Sequence, residues 1–142
     1  MVYADTSVIA AYYCPEPLSE KAEAFLTARS RPAISTLTEL EFFSALARKM
    51  REGGLGRKIA GQIISKFLSH ADGGFYVYLP VEARHYRLAR DWIVLFTSKL
   101  KPLDALHLAV ASSEGRTLVT ADQELFESAR ALAVEAMFLK ED

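Results

Sequence analysis

Apolar positions along the chain fall into short runs separated by longer stretches with a helical repeat. The runs Val2–Ala4, Ala33–Ser35, Tyr76–Leu79, Thr117–Val119 and Val134–Phe138 are rich in β-branched, aromatic or aliphatic residues and read as strands. Ser7–Tyr13 and, beyond Pro15 and Pro17, about Ser19–Ala28 read as helices. In the next stretch Leu40, Phe43, Ala47 and Met50 recur at helical spacing until Gly53-Gly54 stops the pattern. Further stripes run through Leu55, Ile59, Ile63 and Phe67, through Tyr86, Ala89, Ile93 and Phe96, through Leu103, Leu106 and Val110, and through Phe126 and Ala129. Strands separated by helices need crossover connections, hence parallel pairing with both faces of the sheet covered. The pattern predicts one domain over residues 1–142, a three-layer α/β/α sandwich around a mostly parallel five-stranded sheet.

Composition agrees with this picture. A 142-residue chain with 51% hydrophobic and 25% charged residues has the makings of a real core and little room for a second domain. No run approaches the roughly 18–20 apolar residues that span a bilayer, and Asp5 interrupts the start of the chain before a leader can form. The lone Cys14 offers neither an internal disulfide nor a cysteine-rich metal site. A cytoplasmic protein with no membrane role is expected. Cys14 reads as a small hydrophobe before Pro15, Trp92, Tyr12 and Tyr13 as core or partner-groove residues, and His70 and His85 as surface residues.

Charge adds an asymmetry that the net value of -1 conceals. Residues 1–47 carry three basic and six acidic side chains, residues 48–101 eleven and four, and residues 102–142 three and eight. A basic middle between acidic ends suits a polyanion held by cations beside a negative site, against the plainer reading that folding mixes the charges over the surface. Arg48, Lys49, Arg51, Arg57 and Lys58 form the densest basic segment, opposed only by Glu52, and its glycines let a loop approach a phosphate backbone. A solvated helix end is the competing reading. Arg84, Arg87 and Arg90 either join the same rim or mark an exposed helix face.

The chemistry lies in the acids. Ligands of open α/β sheets gather beyond the carboxyl ends of the strands, where helices begin. Asp5 closes the first strand, Asp122 follows the fourth, Asp104 sits just past Pro102 in the first turn of a helix, and Glu41 lies early in the helix after the second strand. Each has a plain structural role available. Asp5 and Asp122 suit N-caps worth roughly 1 kcal/mol, Asp104 complements a helix dipole, and Glu41 pairs with Thr38, or Glu39 with Thr36, in a capping box. Capping gives no reason to bring four acids to one edge, where they repel one another unless a cation sits among them. Oxygen donors without a histidine or cysteine cluster select hard cations such as Mg²⁺, Mn²⁺ or Ca²⁺, and carboxylate-held metal fits phosphodiester hydrolysis.

The segments YADTSVIAAYY, ISTLTELEFFSAL, KPLDALHLAVA and TLVTADQELF, in that order, resemble the motifs of PIN-domain ribonucleases, and the size is similar to the VapC-type toxins of toxin–antitoxin pairs. The resemblance runs from Val2 to about Phe138. It implies catalytic, metal-binding acids at Asp5, Glu41, Asp104 and Asp122, with Mg²⁺ or Mn²⁺ as cofactor. Supporting hydroxyls are implied at Thr120 and at Thr6 or Ser7, and an outer acid at Glu124, which otherwise reads as solvated. Glu41 is taken over Glu39 because the family glutamate falls seven residues after the isoleucine ending the strand, here Ile34. Two helical residues also lie roughly 200° apart, so both cannot face one site. The resemblance implies cleavage of RNA, silencing by a small antitoxin protein, and a homodimer, and the basic segment, read from its own charges, is the candidate RNA contact. The near-neutral net charge departs from the basic totals frequent among such toxins.

His107, three residues after Asp104, reads either as a packed core histidine or as a donor to a ligand carboxylate. Rival functions remain open: a non-catalytic interaction module that kept the fold, and a DNA-directed nuclease of the same superfamily. An aspartyl-nucleophile phosphatase would need a second acid where Ser7 stands, and a receiver domain would need an acidic pair that is missing.

Overall fold

Alternation within each strand decides which layer its residues join. The structure, a computed structural model, describes residues 1–29, 31–96 and 99–142. Strand β1 (Val2–Ala4) leads through helices α1 (Thr6–Tyr13) and α2 (Ser19–Thr27) to β2 (Ala33–Ser35). Helices α3 (Thr36–Arg51) and α4 (Arg57–Asp72) lead to β3 (Val77–Leu79), and α5 (Ala83–Ile93) and α6 (Pro102–Ser113) to β4 (Thr117–Thr120). Helix α7 (Gln123–Ala131) and β5 (Ala136–Phe138) complete the order. The five strands form one parallel sheet in the order β3-β2-β1-β4-β5, with Tyr3 level with Ala33 on one side and Leu118 on the other.

Ala4, Ile34 and Val119 point to one face, where they meet Val8, Ile9, Phe42, Leu46 and Phe67 from α1, α3 and α4. Their neighbours Tyr3, Ala33 and Leu118 point to the other, against Leu108 of α6 and Leu125 and Ala129 of α7. The three-layer α/β/α sandwich is therefore as the hydrophobic pattern predicts, and burying each large core side chain contributes about 1.5–3 kcal/mol. Because β1 connects to β2 on one flank and pairs with β4 on the other, the switch in strand order falls beside β1, where a crevice opens beyond the carboxyl ends. No helix among the described residues is long and apolar enough to cross a membrane.

Several predicted stripes select the wrong face. In α3 the buried residues are Thr38, Phe42 and Leu46, whereas Leu40 is 70% exposed. Apolar residues surround the first half of this helix, so a 3.6-residue repeat fits more than one face, and the capped start after Ser35 sets the rotation. In α5 His85 and Ala89 are buried instead of Tyr86 and Phe96, since the helix ends at Ile93 and Phe96, 86% exposed, follows at a positive φ of 55°. Leu55 precedes α4, whose buried side holds Ala60, Ile63 and Phe67, with Ile59 outward. The surface reading of two histidines also fails. His85 is fully buried because its Nδ1 accepts the Glu82 N–H and caps α5. His70 is half-buried, accepting at Nδ1 from or donating to the Tyr13 hydroxyl at 2.6 Å and stacking on Phe75. Cys14 is buried at the end of α1, as a small hydrophobe should be.

Candidate active site

The crevice is built from chain ends that must satisfy their own backbone before doing any chemistry. Asp5 leaves β1 and caps α1, its Oδ1 accepting from the Val8 N–H at 3.3 Å. The Ser7 hydroxyl donates to the same oxygen at 2.6 Å, and Thr120 donates to Oδ2 at 2.5 Å. Thr120, the last residue of β4, also accepts the Asp122 N–H, and Asp122 in turn caps α7 through the N–H groups of Glu124 and Leu125. One buried hydroxyl therefore ties two acids from different strands into a single corner. Ser7 accepts the Ala121 N–H at 2.9 Å and closes that corner from the α1 side.

A second corner joins α1, α3 and α6. Glu41 Oε1 accepts from the Thr6 hydroxyl at 2.6 Å and lies 2.5 Å from His107 Nε2. Capping of α3 falls to Ser35 and Thr38, whose side chains and backbone form the box, so Glu41 is spared that role. Glu39 lies around the helix and accepts from the Tyr78 hydroxyl, away from this corner. His107 is both alternatives at once: it is 2% exposed, and it is bonded to a carboxylate. Asp104 stands one turn earlier in α6, behind Pro102 at the helix start, and has no hydrogen-bond partner for its carboxylate among the described residues. Glu124 is exposed, and only its backbone meets the site.

The electrostatics follow from these partners. Burial pushes the Asp5 carboxyl up against the pull of His107, Ser7, Thr120 and the Val8 N–H. Burial works the same way on Glu41, but the hydrogen bond and charge of His107, with Thr6, bring it below the usual carboxylate range. Asp104 is pushed up to about 6 by burial and by Asp122, Asp5 and Glu41, with His107 opposing. All four predicted acids thus share one field. Among the described residues, however, no three acid, histidine or cysteine side chains already stand as ligands for one ion.

The crevice continues into a cleft of about 320 Å³ lined by Thr6, Glu41, Ser44, Ala45, Arg48 and Leu103. Arg48 is the member of the predicted basic segment that reaches it, two turns beyond Glu41 on the same helix. Lys49, Arg51, Arg57 and Lys58 follow around the α3–α4 junction, outside the cleft lining. Arg84 does not join them, since it binds Glu82 and Glu114, the latter at the opposite end of α6 from Asp104. Reasoning from sequence missed Tyr3, Ser35 and Thr38, which meet behind His107. The signal was there in part: an inward strand tyrosine needs a partner for its hydroxyl.

Comparison with known proteins adds the family. No curated protein matches the sequence significantly. Among solved structures, FitAcB from Neisseria gonorrhoeae superimposes over 96% of both chains at 20% identity with a TM-score of 0.72. VapBC2 from Rickettsia felis, bound to a DNA fragment from its promoter, covers 100% of both chains at 18% identity and a TM-score of 0.70. VapC20 of Mycobacterium tuberculosis, a toxin that cleaves the sarcin-ricin loop, covers 90% of this chain and 95% of its own at 19% identity and a TM-score of 0.72. At these identities the likeness carries the fold, while the PIN domain family itself matches residues 2–132, and the chain belongs to that family.

Proposed function

We propose that the protein is a metal-dependent endoribonuclease, the toxin of a type II toxin–antitoxin pair, with Asp5, Glu41, Asp104 and Asp122 as its catalytic acids. The observation that carries this reading is Asp104, a half-buried carboxylate without a hydrogen-bond partner among the described residues, pushed up to about 6 by its burial and then by three other acids. A fold gains nothing from such a group alone, and a divalent cation relieves it. The donor set is oxygen throughout, which fits Mg²⁺ or Mn²⁺. Mg²⁺ needs only one or two protein carboxylates, taking waters and phosphate oxygens for the rest, so a site without three assembled side-chain ligands fits it.

In this reading Asp104 and Asp122 contact the ion, and Asp5 and Glu41 bind it or orient its waters. Thr120, Ser7 and Thr6 fix the latter two in place through the bonds already described. A bound Mg²⁺ or Mn²⁺ supplies Lewis acidity at phosphorus and a water acidic enough to attack it. Arg48 on the cleft wall, with Lys49, Arg51, Arg57 and Lys58 beyond it, draws in the RNA backbone. Leu103 supports the antitoxin and homodimer readings. It lines both the acidic cleft and an apolar groove between α5 and α6 with Tyr86, Ala89, Ile93 and Leu106, so a protein seated on the groove reaches the acids.

The test is cleavage of structured and single-stranded RNA in Mg²⁺ or Mn²⁺, with EDTA and Asp104→Asn alongside. Cleavage should cease in EDTA, and the variant should lose at least about 10²-fold in rate, the scale for removing one electrostatic contributor to the transition state. Cleavage unaffected by EDTA would overturn the metal. Equal cutting of single-stranded DNA would point to the DNA-directed alternative, and absence of both cleavage and metal affinity to a non-catalytic module.

A further inference from the structure

Behind Glu41 a buried chain of polar groups runs from α6 past β1 to the first turn of α3. His107 Nδ1 lies 2.6 Å from the Tyr3 hydroxyl, and that hydroxyl lies 2.8 Å from Ser35 Oγ and 3.3 Å from Thr38 Oγ1. Tyr3, Ser35, Thr38 and His107 are all buried. We infer that His107 is a positioning residue for Glu41 whose ring tautomer is set by Glu41 and Tyr3 together, so that one carboxylate oxygen is anchored and the other is presented to the site. The inference rests on the nuclease reading and adds to it a mechanism for presetting one ligand.

Donor counting fixes the direction. A phenol buried this deeply, its ionisation pushed far up by burial, keeps its proton. The Glu41 carboxylate only accepts, so a neutral His107 ring turns its N–H to it from Nε2, and Nδ1 accepts the Tyr3 proton while the Tyr3 oxygen accepts from the hydroxyls of Ser35 and Thr38. When the ring is neutral its hydrogen therefore sits on Nε2, which donates to Glu41 Oε1, whereas the charged ring that pulls on Asp5 and Glu41 donates from both nitrogens. Thr6 donates to the same oxygen. Oε1 is then doubly occupied, and Oε2 has no protein partner among the described residues. The chain closes on itself: Ser35 and Thr38 cap α3, the helix that carries Glu41. Strand β1, helix α6 and both ends of this loop therefore hold one rotamer of one carboxylate. A ligand preset in this way loses less freedom when an ion arrives.

Two measurements test it. In metal-free protein, ¹⁵N spectra of the His107 ring should report hydrogen on Nε2, and Tyr3→Phe should redistribute the tautomers without unfolding the chain. Direct Mn²⁺ binding should weaken roughly 10–100-fold in His107→Leu, the usual scale for losing a group that orients a metal ligand. His107→Gln, which keeps an N–H in reach of Glu41, should recover most of that affinity, as no merely space-filling role would allow. A hydrogen on Nδ1 in the wild type, or Mn²⁺ binding by His107→Leu as tight as wild type, would overturn the inference and leave the nuclease standing. A wild-type protein that neither binds Mn²⁺ nor cleaves RNA would remove both.

Discussion

Two acids of the same site, both pushed up by burial, differ in the hydrogen bonds that answer it. Asp5, at the β1–β4 corner, is almost completely buried, yet each of its oxygens has a donor: Ser7 and the Val8 N–H on one, Thr120 on the other. Asp104, at the tip of α6, is less buried and has no donor among the described residues, and its burial together with three neighbouring acids pushes it up to about 6. At Asp5 the fold opposes burial with four hydrogen-bond and charge contributions that still leave the carboxyl raised, whereas at Asp104 only His107 opposes it. The difference separates a carboxylate the structure needs from one that a ligand needs. Such separation is common where strain is kept for function.

The sharpest way to break the comparison is to remove each carboxylate from metal-free protein. Asp5→Ala loses a helix cap, at about 1 kcal/mol, and takes the acceptor from the buried Thr120 hydroxyl and the half-buried Ser7 hydroxyl at a further 1–3 kcal/mol or so. Asp104→Ala leaves nothing unsatisfied and relieves repulsion. Urea denaturation should show a loss of about 2–4 kcal/mol for the first and no loss, or a gain, for the second. Both should be inactive. Equal destabilisation would mean that the fold leans on Asp104 as heavily as on Asp5.

Titration makes the same point with a sign. The carboxyl of Asp104 titrates near 6 in the folded chain against 3.8 as its ordinary value, so the folded state holds the proton more tightly. Its contribution to stability is neutral below the unfolded value. It then becomes a growing penalty as pH rises from about 4 to 6, and is constant above. The penalty amounts to about 1–3 kcal/mol, toward the lower end because water screens a half-buried group. In EDTA, wild type should therefore fall progressively below Asp104→Asn across that window, and added Mg²⁺ should close the gap at pH 7. Parallel curves would show that the acid is not under strain.

How far the sequence foretold this arrangement depends on range. Strands and layers were legible, because short apolar runs between helical repeats are local. The gathering of Asp5, Glu41, Asp104 and Asp122 into one field was legible in part, through the places of the aspartates near helix starts, and of the two glutamates considered it is Glu41 that lies against His107. Helix faces were less so: around Leu37, Leu40, Phe42 and Phe43 apolar residues point nearly everywhere, and only packing on the sheet decides that Phe42 goes in and Leu40 out. Of the histidines, His85 was misread although its partner is the Glu82 N–H three residues away, because histidine is an unusual capping residue, and the Tyr3 partner of His107, 104 positions away, is announced by no local pattern. Long-range polar pairing is where reading along the chain stops.

Thr120 lies between the two regimes, since its hydroxyl serves Asp5 and Asp122 together. Thr120→Val keeps the shape and removes both bonds, which should cost about 1–2 kcal/mol in stability and loosen the β4 corner. Thr120→Ser should cost less, because the hydroxyl survives. If the nuclease reading is right, the valine variant should also need more Mn²⁺ for half-maximal cleavage while Thr120→Ser behaves nearly as wild type. Loss of stability without any change in metal requirement would confine Thr120 to the fold.

The smallest effect concerns the basic residues, and there the same contrast recurs on the surface. Arg48, Lys49 and Arg51 lie in the last turn of α3, where the helix dipole favours cations, so they have a structural reason to be there. Arg57 and Lys58 open α4, where the dipole disfavours them by a few tenths of a kcal/mol each and no acid occupies the first turn. Cations in an unfavourable place point to a ligand, as an acid without a donor does. Replacing both by glutamine should leave stability unchanged or raise it slightly. RNA binding should weaken a few-fold, and the slope of log K against log salt should fall by about 0.7 for each phosphate that is no longer neutralised. Arg84→Gln is the control, because Arg84 is already bonded to Glu82 and Glu114 and should leave that slope alone. If both changes move the slope equally, the positive charge acts through the whole surface and the α3–α4 junction has no special role. If neither does, the polyanion is held elsewhere and Arg48 on the cleft wall becomes the residue to test next.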